Sequence, residues 1–331
     1  MSSNSKSSIV DALLKGKHPL AQEMKRYIAT PWCKCQDEVY KDCLQCQPAK
    51  KTKTQQGPQA HGGDLFQHSQ WCALYLTNWY LDATTEYKVL HRLLKDIIHS
   101  SFLKKITGTK ENALEFVQVC GFFHDCCKGG DQIYDMYQPN KYGKGTNDSI
   151  HPDICHLQII SPKNSYHGLL GLALNEILNN YKDSQVARFI LSLVAATHWD
   201  FGKLNYDKKF SIQDYIKFIN LKKVQIATEM KLPKTSLVDD GNVLVKLCMV
   251  VSCADVAATY NKEINSTYVN GVAIAPLTHL SDGGAWIKFA FNKNHVAIIK
   301  NVLKALRGKS KTVGKNKTVG KKNHKRKTRK I

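Results

Sequence analysis

Eight stretches of this chain either repeat apolar residues three or four positions apart or are apolar throughout. They run from 64 to 83, 86 to 106, 112 to 126, 168 to 181, 185 to 197, 212 to 229, 242 to 260 and 285 to 306. That spacing places the apolar side chains on one face of a helix, and a helix apolar all round is a core helix. One or two more short helices are expected between Ile9 and Thr30, where His18-Pro19 interrupts the pattern and Pro31 closes it. Against this stands a single β signal, Ser266 to Ala275, which reads as a small hairpin with Asn270-Gly271 at its tip. The expected fold class is all-α, a helical bundle with a small β-hairpin insertion.

The punctuation of the chain divides it further. Residues 1–60 form an N-terminal helical segment followed by a Cys-rich region, 61–306 the main helical domain, and 307–331 a Lys/Arg-rich tail expected to be disordered. Between 129 and 166 the sequence is rich in Gly, Pro, Asn and Tyr and is expected to be a long loop. Tyr134, Tyr137, Tyr142, Lys141 and Lys144 could cover a base and a phosphate there.

Several core helices carry residues that do not belong in a core. Asp255 sits in LVKLCMVVSCADVAATY with no Lys or Arg within a turn. A buried carboxylate costs several kcal/mol unless it is paired or ligates a metal. His124 and Asp125 end the apolar run EFVQVCGFFHD, and Gly129-Gly130 supplies a helix stop. His68 lies in DLFQHSQW, His167 precedes the 168–181 helix, and His198 ends FILSLVAATH. Each histidine alone is ordinarily a satisfied core or capping residue. Four imidazoles and two carboxylates on core-building helices are hard to explain as independent packing. His61, His151 and His156 are neighbouring alternatives.

The order H…HD…H…H…D over residues 61–260, with His68-Ser69, an HDxxK run from His124 to Lys128, and an Ala-Asp pair at Asp255, resembles the HD-domain superfamily of metal-dependent phosphohydrolases. That resemblance implies an HD-type helical bundle. It implies that His68, His124, Asp125 and Asp255 hold a first metal, with Asp125 bridging to a second held by His167 and His198. One or two divalent ions are implied, and imidazole and carboxylate donors do not separate Mn, Fe, Mg, Zn and Ni. It further implies a phosphodiesterase or phosphatase acting on a nucleotide-like phosphoester, with a metal-activated hydroxide attacking phosphorus. Asp125 and Lys128 are the expected catalytic residues, the ammonium stabilising charge on the phosphate or leaving group. No GYP sequence follows His198, so a cyclic-dinucleotide phosphodiesterase of that subfamily is not supported. The same ligand order is similar to that of myo-inositol oxygenase and its di-iron relatives, an alternative that ligand spacing leaves open. A third reading is a non-catalytic polyanion-binding protein that uses the basic tail.

Cys33, Cys35, Cys43 and Cys46 place two close thiol pairs within fourteen residues, a candidate structural zinc site. The other cysteines of the eleven are expected to be reduced, since the count is odd and no secretory signal is visible. Cys72, Cys120, Cys248 and Cys253 read as small core hydrophobes. The most apolar segment is interrupted by Lys246 and Asp255, so no membrane span is expected.

Of the formal +21 charge, +14 lies in residues 300–331 and +7 in the rest. Such a tail binds nucleic acid nonspecifically, or serves as a solubilising or localisation signal. It has no aromatic residue to stack on bases. The tail and the Lys- and Asn-rich body resemble proteins of large DNA viruses. The expected location is cytoplasmic, in the host cytoplasm for a viral protein, with nucleus and virion left open.

Overall fold

A computed structural model describes residues 9–26, 65–81, 88–129, 151–162, 165–233, 242–260, 268–269, 272–273 and 293–313. Its helices are α1 (Ile9–Leu14), α2 (Pro19–Met24), α3 (Leu65–Leu81), α4 (Lys88–Ile98), α5 (Ser101–Thr107) and α6 (Lys110–Phe123). After a 3-10 turn at Cys126–Lys128 come α7 (His151–Ile160), α8 (Ser165–Leu178), α9 (Ser184–Thr197), α10 (Asp200–Tyr206), α11 (Ile212–Glu229), α12 (Val243–Tyr260) and α13 (Lys293–Val313). The fold is all-α. Two-residue strands, β1 (Tyr268–Val269) and β2 (Val272–Ala273), pair antiparallel with Tyr268 opposite Ala273. They fall inside the expected hairpin, whose tip and flanks lie outside the described residues.

α3 is the centre of the bundle. Its buried residues run from Leu65 and Phe66 through Trp71, Ala73, Leu74 and Leu76 to Trp79, covering all sides of the helix. It packs against α6 on one side and α12 on another, and α9 contacts both α6 and α12. Gly121 makes the α3–α6 contact possible. A Cβ there would lie 2.6 Å from Leu76 Cδ1 and 3.2 Å from the Ala73 backbone. Only hydrogen fits in that gap, so the two helices run in backbone contact one turn before His124.

The outer elements share the same core. Val10, Leu13, Leu14, Leu20, Ala21 and Met24 of α1 and α2 are buried in it, as are Ile299, Val302 and Leu306 of α13. Gln70 Nε2 donates to Leu14 O at 2.5 Å, tying the first helix to the third. His18 caps α2, its Nδ1 accepting from Leu20 N–H, with Pro19 in the first turn where a missing N–H costs nothing. Among the described residues no helix is long and apolar enough to cross a membrane.

Four sequence expectations are corrected. The helix expected from Glu86 to Ile106 is two, because Ser100 is extended and its hydroxyl caps Leu103 N–H. The apolar spacing continues across that break and hides it. The expected loop from 129 to 166 contains α7, whose Cys155 and Ile159 are buried. α10 was not expected either, and α13 runs on to Val313, past the 306 limit that composition suggested. The thiols are not all reduced: Cys127 and Cys155 are joined as a disulfide, because α7 packs directly on the turn that follows Asp125. Cys33, Cys35, Cys43 and Cys46, and the tail beyond Val313, lie outside the described residues.

Candidate metal centre

Four helices deliver the site. His68 comes from the second turn of α3, and His124 is the residue at which α6 ends. Asp125 follows at the start of the 3-10 turn, where the backbone leaves helical geometry (φ −110°, ψ 13°). This change of direction lets two adjacent residues face one pocket, which a continuous helix would splay by about 100°. Asp255 projects from α12, and His198 ends α9 as His124 ends α6.

His68 Nε2 lies 3.2 Å from His124 Nε2, 3.1 Å from Asp255 Oδ1 and 3.4 Å from Asp125 Oδ2. His124 Nε2 lies 3.4 Å from Asp255 Oδ1 and 3.6 Å from Asp125 Oδ2. All four donor atoms fall within 4.8 Å of one another. Donors about 2.1 Å from a common ion stand about 3.0 Å apart at right angles and about 3.4 Å apart in a tetrahedron. The observed separations are those that donors to a shared ion would show.

The tautomers point the same way. His124 Nδ1 donates to Gly121 O at 2.7 Å, and His198 Nδ1 donates to Ala195 O at 2.8 Å. With its Nδ1 proton held by a carbonyl three residues back, each imidazole can present the Nε2 lone pair inward. Such backbone partners are what orient metal-ligating histidines.

Electrostatics show that the pocket demands positive charge. Burial alone would lower the His124 pKa. The adjacent Cys72 thiol, the Asp125 charge and a hydrogen bond to Asp255 reverse this and hold it well above the ordinary imidazole value. Burial would likewise raise the Asp255 pKa, but hydrogen bonds from His124 and His68 and their charges hold it well below the carboxylate range. Two carboxylates in a pocket whose histidines are 1% exposed or less need a cation, either a proton on imidazole or a metal ion. The donor set therefore fits a divalent metal.

On its other side Asp125 Oδ1 lies 3.1 Å from His198 Nε2, and Lys128 Nζ donates to Asp125 Oδ2 at 2.7 Å. Asp125 thus faces two ways, toward the four-donor cluster and toward His198. Lys128 is buried with it, 6% exposed.

Of the sequence candidates, the structure brings together His68, His124, Asp125, Lys128, His198 and Asp255. Position 167 is in the first turn of α8, and the His167 side chain lies outside the described residues. Its neighbour Tyr166 does reach the site turn, with its hydroxyl donating to Cys126 O at 3.0 Å and its ring against Gly129. His156 is not in the cluster; its Nε2 lies 3.2 Å from Glu229 Oε2, joining α7 to α11. Cys72 is buried as expected but also lies beside His124, close enough to perturb it. Its position four residues after His68, hence on the same helix face, was the sequence signal for that.

Compared with protein-family models, curated proteins and solved structures, the chain matches none.

Proposed function

We propose that this chain is a metal-dependent phosphohydrolase of HD type acting on a nucleotide-like phosphoester. The observation that carries the reading is the convergence of His68, His124, Asp125 and Asp255, with Asp125 turned at once toward a further histidine and a buried lysine. His68, His124, Asp125 and Asp255 would hold a first divalent ion, and Asp125 with His198 would contribute to a second. A bound ion would supply Lewis acidity toward a phosphoryl oxygen and lower the pKa of water for attack at phosphorus.

The chain's own residues would do the rest. His68 and His124 would serve as imidazole donors through Nε2. Asp125 spends part of its charge on Lys128, leaving an ammonium within reach of the same centre that can pair with a non-bridging phosphate oxygen or the leaving group. The walls around the histidines exclude bulk water, which strengthens each of these interactions.

The test is hydrolysis of bis(p-nitrophenyl) phosphate and p-nitrophenyl phosphate by full-length protein loaded separately with Mn, Fe, Mg, Zn or Ni. At least one metal is expected to give turnover that EDTA abolishes, and Asp125→Ala should lower kcat by about 10³-fold or more. No metal-dependent turnover on either ester, together with a redox-active di-iron centre that consumes oxygen, would favour the oxygenase chemistry instead.

A further inference from the structure

α13 has an outward face of a single charge sign. Lys293, Lys300, Lys304 and Arg307 are all exposed. At about 100° per residue they fall within a sector of about 60°. The other side of the helix is spent on the core: His295, Ile299, Val302 and Leu306 are buried, and the His295 ring lies 6.4 Å from that of Phe201. No Asp or Glu occurs anywhere from Lys293 to Ile331, so the helix offers these cations no carboxylate of its own. Lys300 and Lys304 stand one turn apart and repel each other, a cost that a bound polyanion removes.

We propose that this face of α13 binds the phosphate backbone of nucleic acid. It spans about 21 Å from Lys293 to Arg307, at about 1.5 Å per residue. That is the axial length of about six phosphates of one strand, at about 3.4 Å each. A membrane surface fits less well, because interfacial helices insert an apolar face and here that face is already buried in the bundle. The recognition is of charge and spacing, without base readout, since no aromatic residue lies in the helix. α13 packs on α10, which begins two residues after His198, and on α12, which carries Asp255. A strand held there lies against the elements that build the metal centre, although the proposal does not depend on the chemistry of that centre.

The experiment measures binding of a fluorescein-labelled 20-base-pair DNA of mixed sequence to the full chain across a salt series. Two variants are compared with the parent: K293Q/K300Q/K304Q/R307Q, and the tail variant K317Q/K321Q/K322Q/K325Q with the same charge change. The helix variant should weaken binding about 100-fold or more near 0.1 M salt and flatten the log Kd against log salt slope by about 3.6, at about 0.9 per lost contact. The tail variant should flatten the slope by less than the helix variant does. Lys293, Lys300 and Lys304 should also be shielded from acetylation by the bound duplex in the parent protein. An unchanged slope in the helix variant would overturn the proposal. So would failure of the parent to bind DNA, or binding only of polyglutamate or anionic vesicles.

Discussion

His124 and His295 are both buried histidines, and their chemistry is opposite. His124 ends α6 among two carboxylates, and its pKa is held well above the ordinary value. His295 lies on the buried face of α13 near Phe201, and burial pushes its pKa down to about 4. Burial is common to both and opposes charge in both. What differs is the company, and only carboxylates close to the ring turn a core histidine into a site that needs a cation. The candidate metal centre is therefore a place where the fold gathers negative charge inward, while the seat of α13 keeps its histidine neutral and turns its cations out.

The contrast breaks most visibly if Asp125 is removed. Asp125→Ala removes the carboxylate paired with buried Lys128, and we predict a loss of about 3–5 kcal/mol of stability together with loss of metal binding. Urea denaturation and metal analysis would show both. The double variant D125N/K128M should regain most of the stability and none of the metal; recovery of metal by that variant would sink the assignment of Asp125 as a ligand.

The next largest effect is in acid. Because the folded pKa of His295 is about 4 and that of the unfolded residue about 6.5, the unfolded chain binds the extra proton first. Stability from this group is intact above about pH 6.5 and is lost as pH falls toward 4, by about 3 kcal/mol in all. Thermal melts of His295→Leu should lack this component. The metal-free His124 must behave in the reverse sense: its raised folded pKa stabilises at low pH and the contribution fades as pH rises through that value. A melt series in which His295→Leu and His124→Asn shift the same limb would refute the comparison.

A third test reaches the centre without touching a ligand. Gly121→Ala forces a methyl against Leu76 and the Ala73 backbone, and we predict a cost of about 1–3 kcal/mol. Because the displaced segment ends in His124, metal affinity should fall as well, measured by competition with a chromogenic chelator. The smallest effect is a proton count. Zinc binding near pH 7 should release about one proton, from His124, into weakly buffered solution. His124→Asn should release none.

Much of this was legible in the sequence for one reason: polar groups in apolar helices are costly, so they advertise themselves. Asp255, His124-Asp125, His68 and His198 were found that way, and the structure brings them within contact distance. Helix α11 was legible to its ends from its apolar spacing, and a capping box of Ser211 and Asp214 sets its start. Helix α7 was not, since HPDICHLQII is short, opens on His-Pro and buries only a few apolar side chains. The Cys127–Cys155 link was hidden for a different reason. Pairing of thiols 28 residues apart depends on how α7 docks, which no local pattern encodes. The role of Gly121 was not legible either, because it depends on how closely α3 approaches.

One asymmetry in the cluster has a kinetic consequence. His68, His124 and Asp125 are 1% exposed or less, whereas Asp255 is 15% exposed. Among the described residues, Asp255 is the most exposed of the four donors. An incoming ion would meet that carboxylate first and exchange its hydration shell there before descending to the imidazoles. A departing ion would retrace the same path. Occupancy would then reflect the history of the sample as much as the metal around it, with extraction by chelators lagging far behind what affinity alone would set.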